Sequence, residues 1–258
     1  MPDLNPRVKH NFFSPYIPST PGSEIKLSPA ESHHATRVLR IEKGVTVGLL
    51  DGKGTVARAV IKNVGGSARR PTVALTVQEC WQVAPFHPEL QLFIAPPRAK
   101  LMAVIVRQAT ELGVRRIVPV ICRHNVAKPD SNGPKDRWLQ EAVAAIKQSG
   151  NPFLPRIEGP VDFEDALSDA PKTGIYGHLT PVTPQANAES FSGAQKVALW
   201  VGPEAGFTAA EIDLFEKRNY IPAQAGPWIL RVETAVPALI GWLRGRGLEY
   251  DEYNTECA

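Results

Sequence analysis

Cysteine is scarce in this 258-residue chain, and the three present, Cys80, Cys122 and Cys257, lie far apart. They form no Cys-x-x-Cys pair and no zinc-ligand spacing, which argues against a disulfide scaffold and fits a reducing cytoplasm. No apolar run approaches the ~18 residues of a membrane span. Met1 to Arg7 begin no apolar stretch of the kind that marks a secretory signal, so none is expected. The Gly-x-Gly-x-x-Gly fingerprint is missing, and no Gly-Lys-Ser/Thr follows a glycine loop, which leaves dinucleotide and triphosphate cradling unsupported. His33 and His34 are adjacent, so their side chains point apart, and no third ligand is near; no metal is expected. No internal repeat is present.

The rest is ordinary for a globular protein, with 43% hydrophobic and 21% charged residues. The length allows one large domain or two small ones. The net charge of +3 hides an asymmetry: residues 1–156 hold 22 Lys and Arg against 11 Asp and Glu, while residues 157–258 hold 7 against 15. A basic part of this size points to a polyanionic partner, nucleic acid first among them. Part of the acidity lies in a tail, residues 249–258, expected to be disordered.

Ser28 is placed to cap a short helix over Pro29–Arg40, with Ala35, Val38 and Leu39 facing a core and Arg37 and Arg40 on one face. Alternating β-rich runs follow at Val45–Leu50, Thr55–Val64 and Thr72–Trp81, joined by an Asp51-Gly52-Lys53-Gly54 turn and a Gly65-Gly66-Ser67 loop. Strands joined by short loops suggest a small barrel. Lys53, Arg58, Arg69 and Arg70 would line its phosphate-contacting face. Ala84–Pro88 reads as a linker. After it the period changes: strand Leu90–Ala95, a helix to Leu112 stopped by Gly113, and strand Arg115–Ile121 make a βαβ unit, hence a parallel sheet. Another helix is expected over Lys135–Ser149. The domains are thus expected at 1–84 and 85–248.

The chemistry concentrates in residues 196–236. Val197–Val201 is a strand-length apolar run broken by Gly202-Pro203-Glu204-Ala205-Gly206. Thr208 and Glu211 have capping-box spacing, so a helix starts there. A second strand, Ile221–Ala225, leads to Gly226-Pro227 and then to a helix from Glu233 or Thr234, with Pro237 in its first turn. Two glycine turns after two strands suggest a small-molecule site at strand C-termini.

Val-Gly-Pro-Glu-Ala-Gly-Phe-Thr, starting at Val201, and Ile-Leu-Arg-Val-Glu-Thr-Ala, starting at Ile229, closely resemble the signature of the RsmE family, the small-subunit ribosomal RNA uridine-N3 methyltransferases of the SPOUT class. The resemblance extends to His33–Arg40, to Gln108–Val114 and to Lys147–Gly150. It implies an α/β protein: an N-terminal PUA-like β-barrel followed by a SPOUT domain with a deep trefoil knot. It also implies S-adenosylmethionine as cofactor, 16S ribosomal RNA in the small subunit as partner, N3 of uridine 1498 as target and a homodimer in the cytoplasm. The last helix, Ala235–Leu243, is a plausible dimer element, though its apolar residues would otherwise be core.

Carried onto this chain, the resemblance places the cofactor against His178, Leu179, Val201, Gly202, Pro203, Glu204, Ala205 and Gly206. From the second turn it adds Gly226, Ile229, Leu230, Arg231, Glu233, Thr234 and Ala235. Arg231 would stabilise a uridine anion, while Glu204 or Glu233 takes the proton or orients groups. RNA contacts would come from Arg37, Arg40, Arg98, Lys100, Arg123, Lys147, Gln148 and Ser149. The chain departs from the usual family pattern at Asn11, Asn151, Ala205 and Trp228. These departures keep open a non-catalytic RNA-binding ribosome-assembly factor on the same fold.

Overall fold

The computed structural model describes residues 8–97, 99–125, 135–179, 188–191 and 193–245. Arg98, the stretch 129–134, residues 181–187 and the acidic tail 249–258 lie outside the described residues. The chain divides into two compact units. One takes residues 8–85 together with Val143–Leu154, and the other takes the described residues of 86–142 and 155–245.

In the first unit, β1 (Asn11–Phe13), β2 (Glu24–Lys26), β3 (Thr46–Leu50), β4 (Thr55–Gly66) and β5 (Pro71–Gln82) form a sheet in the order β1-β3-β4-β5-β2. All pairings are antiparallel except β1 on β3. The β3–β4 turn is built by Asp51, whose Oδ1 accepts from the N–H of Lys53 at 2.7 Å and of Thr55 at 2.9 Å. Two register shifts in the β4–β5 ladder, at Arg58/Ala59 and Ile61/Asn63, bend the long hairpin. Its inner face, with Ala57, Ala59, Ile61, Val73, Leu75 and Val77, closes on Phe12, Val47 and Leu49.

The first helix, α1 (Pro29–His33), starts where expected, the Ser28 hydroxyl accepting from the Glu31 N–H at 3.2 Å. It does not run straight to Arg40. The chain widens into a π-type stretch, His34–Val38, and Arg40 sits at φ 51°. Thr36 Oγ1 donates back to the Ser32 carbonyl at 2.9 Å, the kind of bond that bends a helix. Val38 is therefore 64% exposed instead of core, and Arg37 and Arg40 share no helix face. Arg37 donates to the Ala68 carbonyl at 2.7 Å, and Arg58 pairs with Glu79.

The second unit holds β6 (Glu89–Ile94), α2 (Ala99–Glu111), β7 (Val114–Ile121), α3 (Lys135–Ser149), β8 (Arg156–Ile157), β9 (Val161–Asp162), α4 (Phe163–Asp169), β10 (Gly174–Gly177), β11 (Lys196–Val201), α5 (Ala209–Lys217), β12 (Ile221–Ala223) and α6 (Val232–Gly245). The second half of α3 belongs with the first unit. The sheet order is β12-β10-β11-β6-β7-β8, with β9 also on β7, and every pairing is parallel. Helices cover such sheets on both faces, which is why β6 and β11 are almost wholly apolar.

Helix α6 begins slightly ahead of the expected Glu233 or Thr234, so Pro237 falls in its second turn. There its missing N–H leaves the Glu233 carbonyl without its helical donor. Val236, Leu239, Ile240 and Leu243 are buried within the protomer, so the stripe proposed as a dimer element serves as core. Arg244 donates to the Gly113 carbonyl at 3.0 Å, tying α6 to the end of α2. Among the described residues no helix is long and apolar enough to cross a membrane.

The segment Val143–Leu154 is fixed into the first unit by specific bonds. Lys147 Nζ lies 2.7 Å from Glu31 Oε1, both side chains largely buried. Asn11 Nδ2 donates to the Lys147 carbonyl at 3.1 Å, and the Gly54 N–H donates to Pro152 at 3.1 Å. Phe153 completes a cluster with Leu50, Val56 and Val83.

Candidate active site

Strand order decides where the site is. β12, β10 and β11 are neighbours and all parallel, so the loops that follow them leave from one edge of the sheet, where α/β folds bind ligands. A cavity of about 360 Å³ opens there, within the range of small-molecule sites. Its walls are the ends of the three strands (Gly177, Val201, Ala223), the two glycine turns and the inner face of α6.

Aromatic packing underneath fixes the strand ends. Trp200, just before the first turn, stacks on Phe93 with centroids 4.5 Å apart. Phe207, just after it, meets Phe215 edge-on at 5.0 Å, and Phe215 stacks on Tyr176 at 4.7 Å. Such pairs add about 0.5–1.5 kcal/mol each beyond burial. The first turn is therefore pinned at both ends.

Hydrogen bonds pin it further. The Gly206 N–H donates to the Pro203 carbonyl at 2.8 Å, closing a turn that ends at Gly206 with φ 76°. The expected capping box is present: Thr208 Oγ1 accepts from the Glu211 N–H, and Glu211 Oε2 accepts from the Thr208 N–H at 2.7 Å. The other carboxylate oxygen accepts from the Arg123 N–H at 3.0 Å. His124 Nδ1 lies 3.2 Å from the Gly206 carbonyl, a bond that requires the proton on Nδ1. Buried Glu211 thus joins the loop after β7 to the first glycine turn. Beside them burial, and then the charge of Glu211, push the Cys122 thiol up to about 12.

The second turn is held differently. Gln224 Nε2 donates to the Gly226 carbonyl at 2.7 Å, and the Arg231 carbonyl accepts from the N–H groups of Thr234 and Ala235 as α6 starts. Between these points Pro227, Trp228 and Ile229 are exposed.

The cavity wall contains most of the residues expected to hold a cofactor: His178 and Leu179 after β10, then Val201, Gly202, Pro203, Glu204, Ala205 and Gly206, and beyond them Gly226, Ile229, Leu230 and Ala235. Arg231, Glu233 and Thr234 follow the second turn without forming the wall. Arg231 is exposed and, among the described residues, without an acidic partner; Glu233 is half-buried in the first turn of α6. Glu204 is exposed on the rim, with no hydrogen-bond partner among the described residues. Ala205 lies outside the left-handed region, so the alanine there carries no backbone strain.

The sequence reading missed Phe207, Ala223, Gln224, Ala225, Val232 and Leu239 as wall residues. Ala223 to Ala225 had a signal, since they end a strand that leads into the turn. Leu239 had none beyond its place on the apolar stripe of α6. Of the expected RNA contacts, Lys100, Arg123 and Gln148 are exposed. The Lys147 ammonium is committed to Glu31, and Ser149 Oγ donates to the Ala145 carbonyl at 2.8 Å.

Comparison with known proteins agrees with this geometry. An RNA methyltransferase domain profile matches residues 85–244, and an RNA methyltransferase PUA domain profile matches residues 27–68. Ribosomal RNA small subunit methyltransferase E of Synechocystis sp. is 30% identical over 217 residues, 82% of this chain and 69% of that one. A Legionella pneumophila protein solved with bound cofactor SAM superposes with a TM-score of 0.75 at 25% identity, covering 91% of this chain and 96% of that one. Ribosomal RNA small subunit methyltransferase E from Neisseria gonorrhoeae, solved bound to S-adenosyl methionine, shares the fold with a TM-score of 0.78 at 20% identity, over 92% and 97% of the two chains. The chain, an α/β protein with a PUA-type N-terminal unit and a SPOUT α/β unit, belongs to the RsmE family of RNA methyltransferases.

Proposed function

We propose that this protein is a 16S ribosomal RNA (uracil-N3)-methyltransferase, acting on uridine 1498 of the small subunit with S-adenosylmethionine as donor. The observation that carries this reading is the cavity at the C-terminal ends of β10, β11 and β12, walled by two glycine turns that bear the family's signature residues. The wall suits such a donor. It is glycine or apolar at most positions, and a Cβ built on Gly206 or Gly226 would meet nothing within 4 Å, so backbone groups have free access to the space.

Bound there, S-adenosylmethionine supplies an electrophilic methyl group on a positively charged sulfur. Backbone groups of Val201–Gly206 and Gly226–Leu230 hold and orient it, and orientation supplies much of the acceleration in an in-line displacement. N3 of uridine carries a proton and becomes a good nucleophile only when that proton leaves. Glu204, exposed on the rim, or Glu233, in the first turn of α6, accepts the proton or orients the base. The Arg231 guanidinium stabilises negative charge developing on the uracil oxygens. RNA would be held by the basic first 156 residues, with Arg40, Lys100, Arg123 and Gln148 as exposed candidates. The boundary near residue 84 would separate an RNA-binding part from the methyltransferase part, and the working form is a cytoplasmic homodimer.

The test is methylation of small subunits from a strain lacking the enzyme, followed by mass mapping of the product nucleoside. N3-methyluridine at the expected position supports the proposal; a methyl group on another base or atom refutes it. Calorimetry with S-adenosylmethionine separates this reading from a non-catalytic RNA-binding factor, for which no binding is expected.

A further inference from the structure

Three of the exposed large apolar side chains, Leu179, Trp228 and Ile229, lie on the rim of this one cavity, and Trp228 and Ile229 are each 77% exposed. A grouped apolar surface on a soluble protein is an informative feature, where single exposed residues are not. The other aromatic wall residues are engaged. Phe207 packs on Phe215 and Phe163, and His178 stands edge-on to Tyr176. Trp228 has no ring partner among the described residues. Three positions further on, Arg231 is exposed and lacks an acidic partner among the described residues.

An open indole face, with a guanidinium three positions on that has no acidic partner among the described residues, is the chemistry of single-stranded nucleic acid binding: the π-face takes a base and the cation takes a phosphate or a polar base edge. Among the described residues no acid of the protomer offsets the Arg231 charge, so an apolar partner laid over this patch would bury that charge at a cost. A polyanion meets both groups. The target base must also leave its stack to reach a donor in the cavity, and something must replace the stacking it loses.

The geometry points to Trp228 as the platform on which the extruded uracil of the RNA substrate stacks at the cavity mouth. This rests on the reading of the chain as a uridine methyltransferase. Base–aromatic stacking of ordinary strength corresponds to roughly 5- to 100-fold in binding.

The full-length protein, Trp228→Ala and Trp228→Phe would be compared in four measurements. Quenching of tryptophan emission by a short oligouridylate needs no cofactor; it should occur in the wild type and be lost in Trp228→Phe. On small subunits, kcat/KM of Trp228→Ala should fall roughly 5- to 100-fold, chiefly through KM for RNA, and Trp228→Phe should recover most of it. Calorimetric affinity for S-adenosylmethionine should fall far less than kcat/KM, and the sedimentation mass should stay unchanged. Absence of quenching, unchanged kinetics in Trp228→Ala, an equal loss of S-adenosylmethionine affinity, or conversion to a smaller assembly would each overturn the assignment. If the wild type makes no N3-methyluridine but the quenching depends on Trp228, the proposed reaction fails while the stacking platform stands.

Discussion

The two glycine turns that wall the cavity are built on opposite principles. The first, Gly202–Gly206, is locked at both ends by aromatic packing and closed by its own turn bond. It is also tied to the loop after β7 through Glu211 and His124. The second, Gly226–Leu230, is held mainly at its margins, and its middle carries exposed Trp228 and Ile229. A donor molecule gains from a preformed cradle, because little ordering remains to be done on binding. An RNA base has to arrive and leave at each turnover, and an open, apolar lip suits that. The first turn therefore reads as the cofactor's wall and the second as shared between cofactor and substrate.

The sharpest way to break this division is Arg231→Ala. If Arg231 meets charge that develops on the base, turnover should fall about 100- to 1000-fold with S-adenosylmethionine affinity unchanged. Single-turnover methylation of small subunits and calorimetry measure the two. Near-normal turnover in a folded variant removes Arg231 from the chemistry.

The next largest effect should come from Glu211→Ala, which removes the clamp. It leaves the N–H groups of Thr208 and Arg123 without their carboxylate and should cost about 3 kcal/mol, a fall in Tm of roughly 6–12 °C. Glu211→Gln keeps an acceptor oxygen and should lose less. Cys122 gives an independent readout. With its native value near 12 against an ordinary 9.0, the buried thiol stays protonated and inert to alkylation at pH 8. Opening the clamp should speed its labelling, followed by peptide mass. The same shift gives the sign of a pH effect: the raised thiol contributes stability that is complete below pH 9 and is lost as pH rises toward 12. Equal Cys122 labelling in wild type and variant would mean that Glu211 does not hold the two loops together.

What was legible in the sequence was local. The Ser28 cap, the Thr208–Glu211 box and the strand–turn–strand order all depend on residues within a few positions of one another, and they stand as read. The helix after Ser28 loses its regular form past His33: Ala35, Val38 and Leu39 mimic an apolar stripe, while Thr36 bonds backward to the Ser32 carbonyl in the turn that widens. Long-range partners were invisible. Nothing near Lys147 announces Glu31, 116 residues earlier, and nothing near Glu211 announces Arg123, 88 residues earlier. Membership of Val143–Leu154 in the first unit rests on such partners, so no composition shift marks it. A knot is likewise an expectation of family resemblance alone, since threading leaves no period in a sequence.

The smallest effects test the comparison most directly, because one substitution is made in each turn. Gly206 sits at φ 76°, so Gly206→Ala puts a side chain in the left-handed region at a cost of about 1 kcal/mol, although its methyl group would meet no atom. Gly226 is not in that region and is equally uncrowded. Gly226→Ala should leave stability unchanged or raise it by up to about 1 kcal/mol through the unfolded chain. If the second turn faces bound donor, however, that methyl group takes space the donor needs. Gly226→Ala should then weaken S-adenosylmethionine binding while Tm holds or rises, a separation of affinity from stability that Gly206→Ala cannot give. Thermal unfolding and calorimetry on the two variants measure it. Parallel losses of both in Gly226→Ala would mean that the second turn is as tightly built as the first, and the open lip would have to be abandoned.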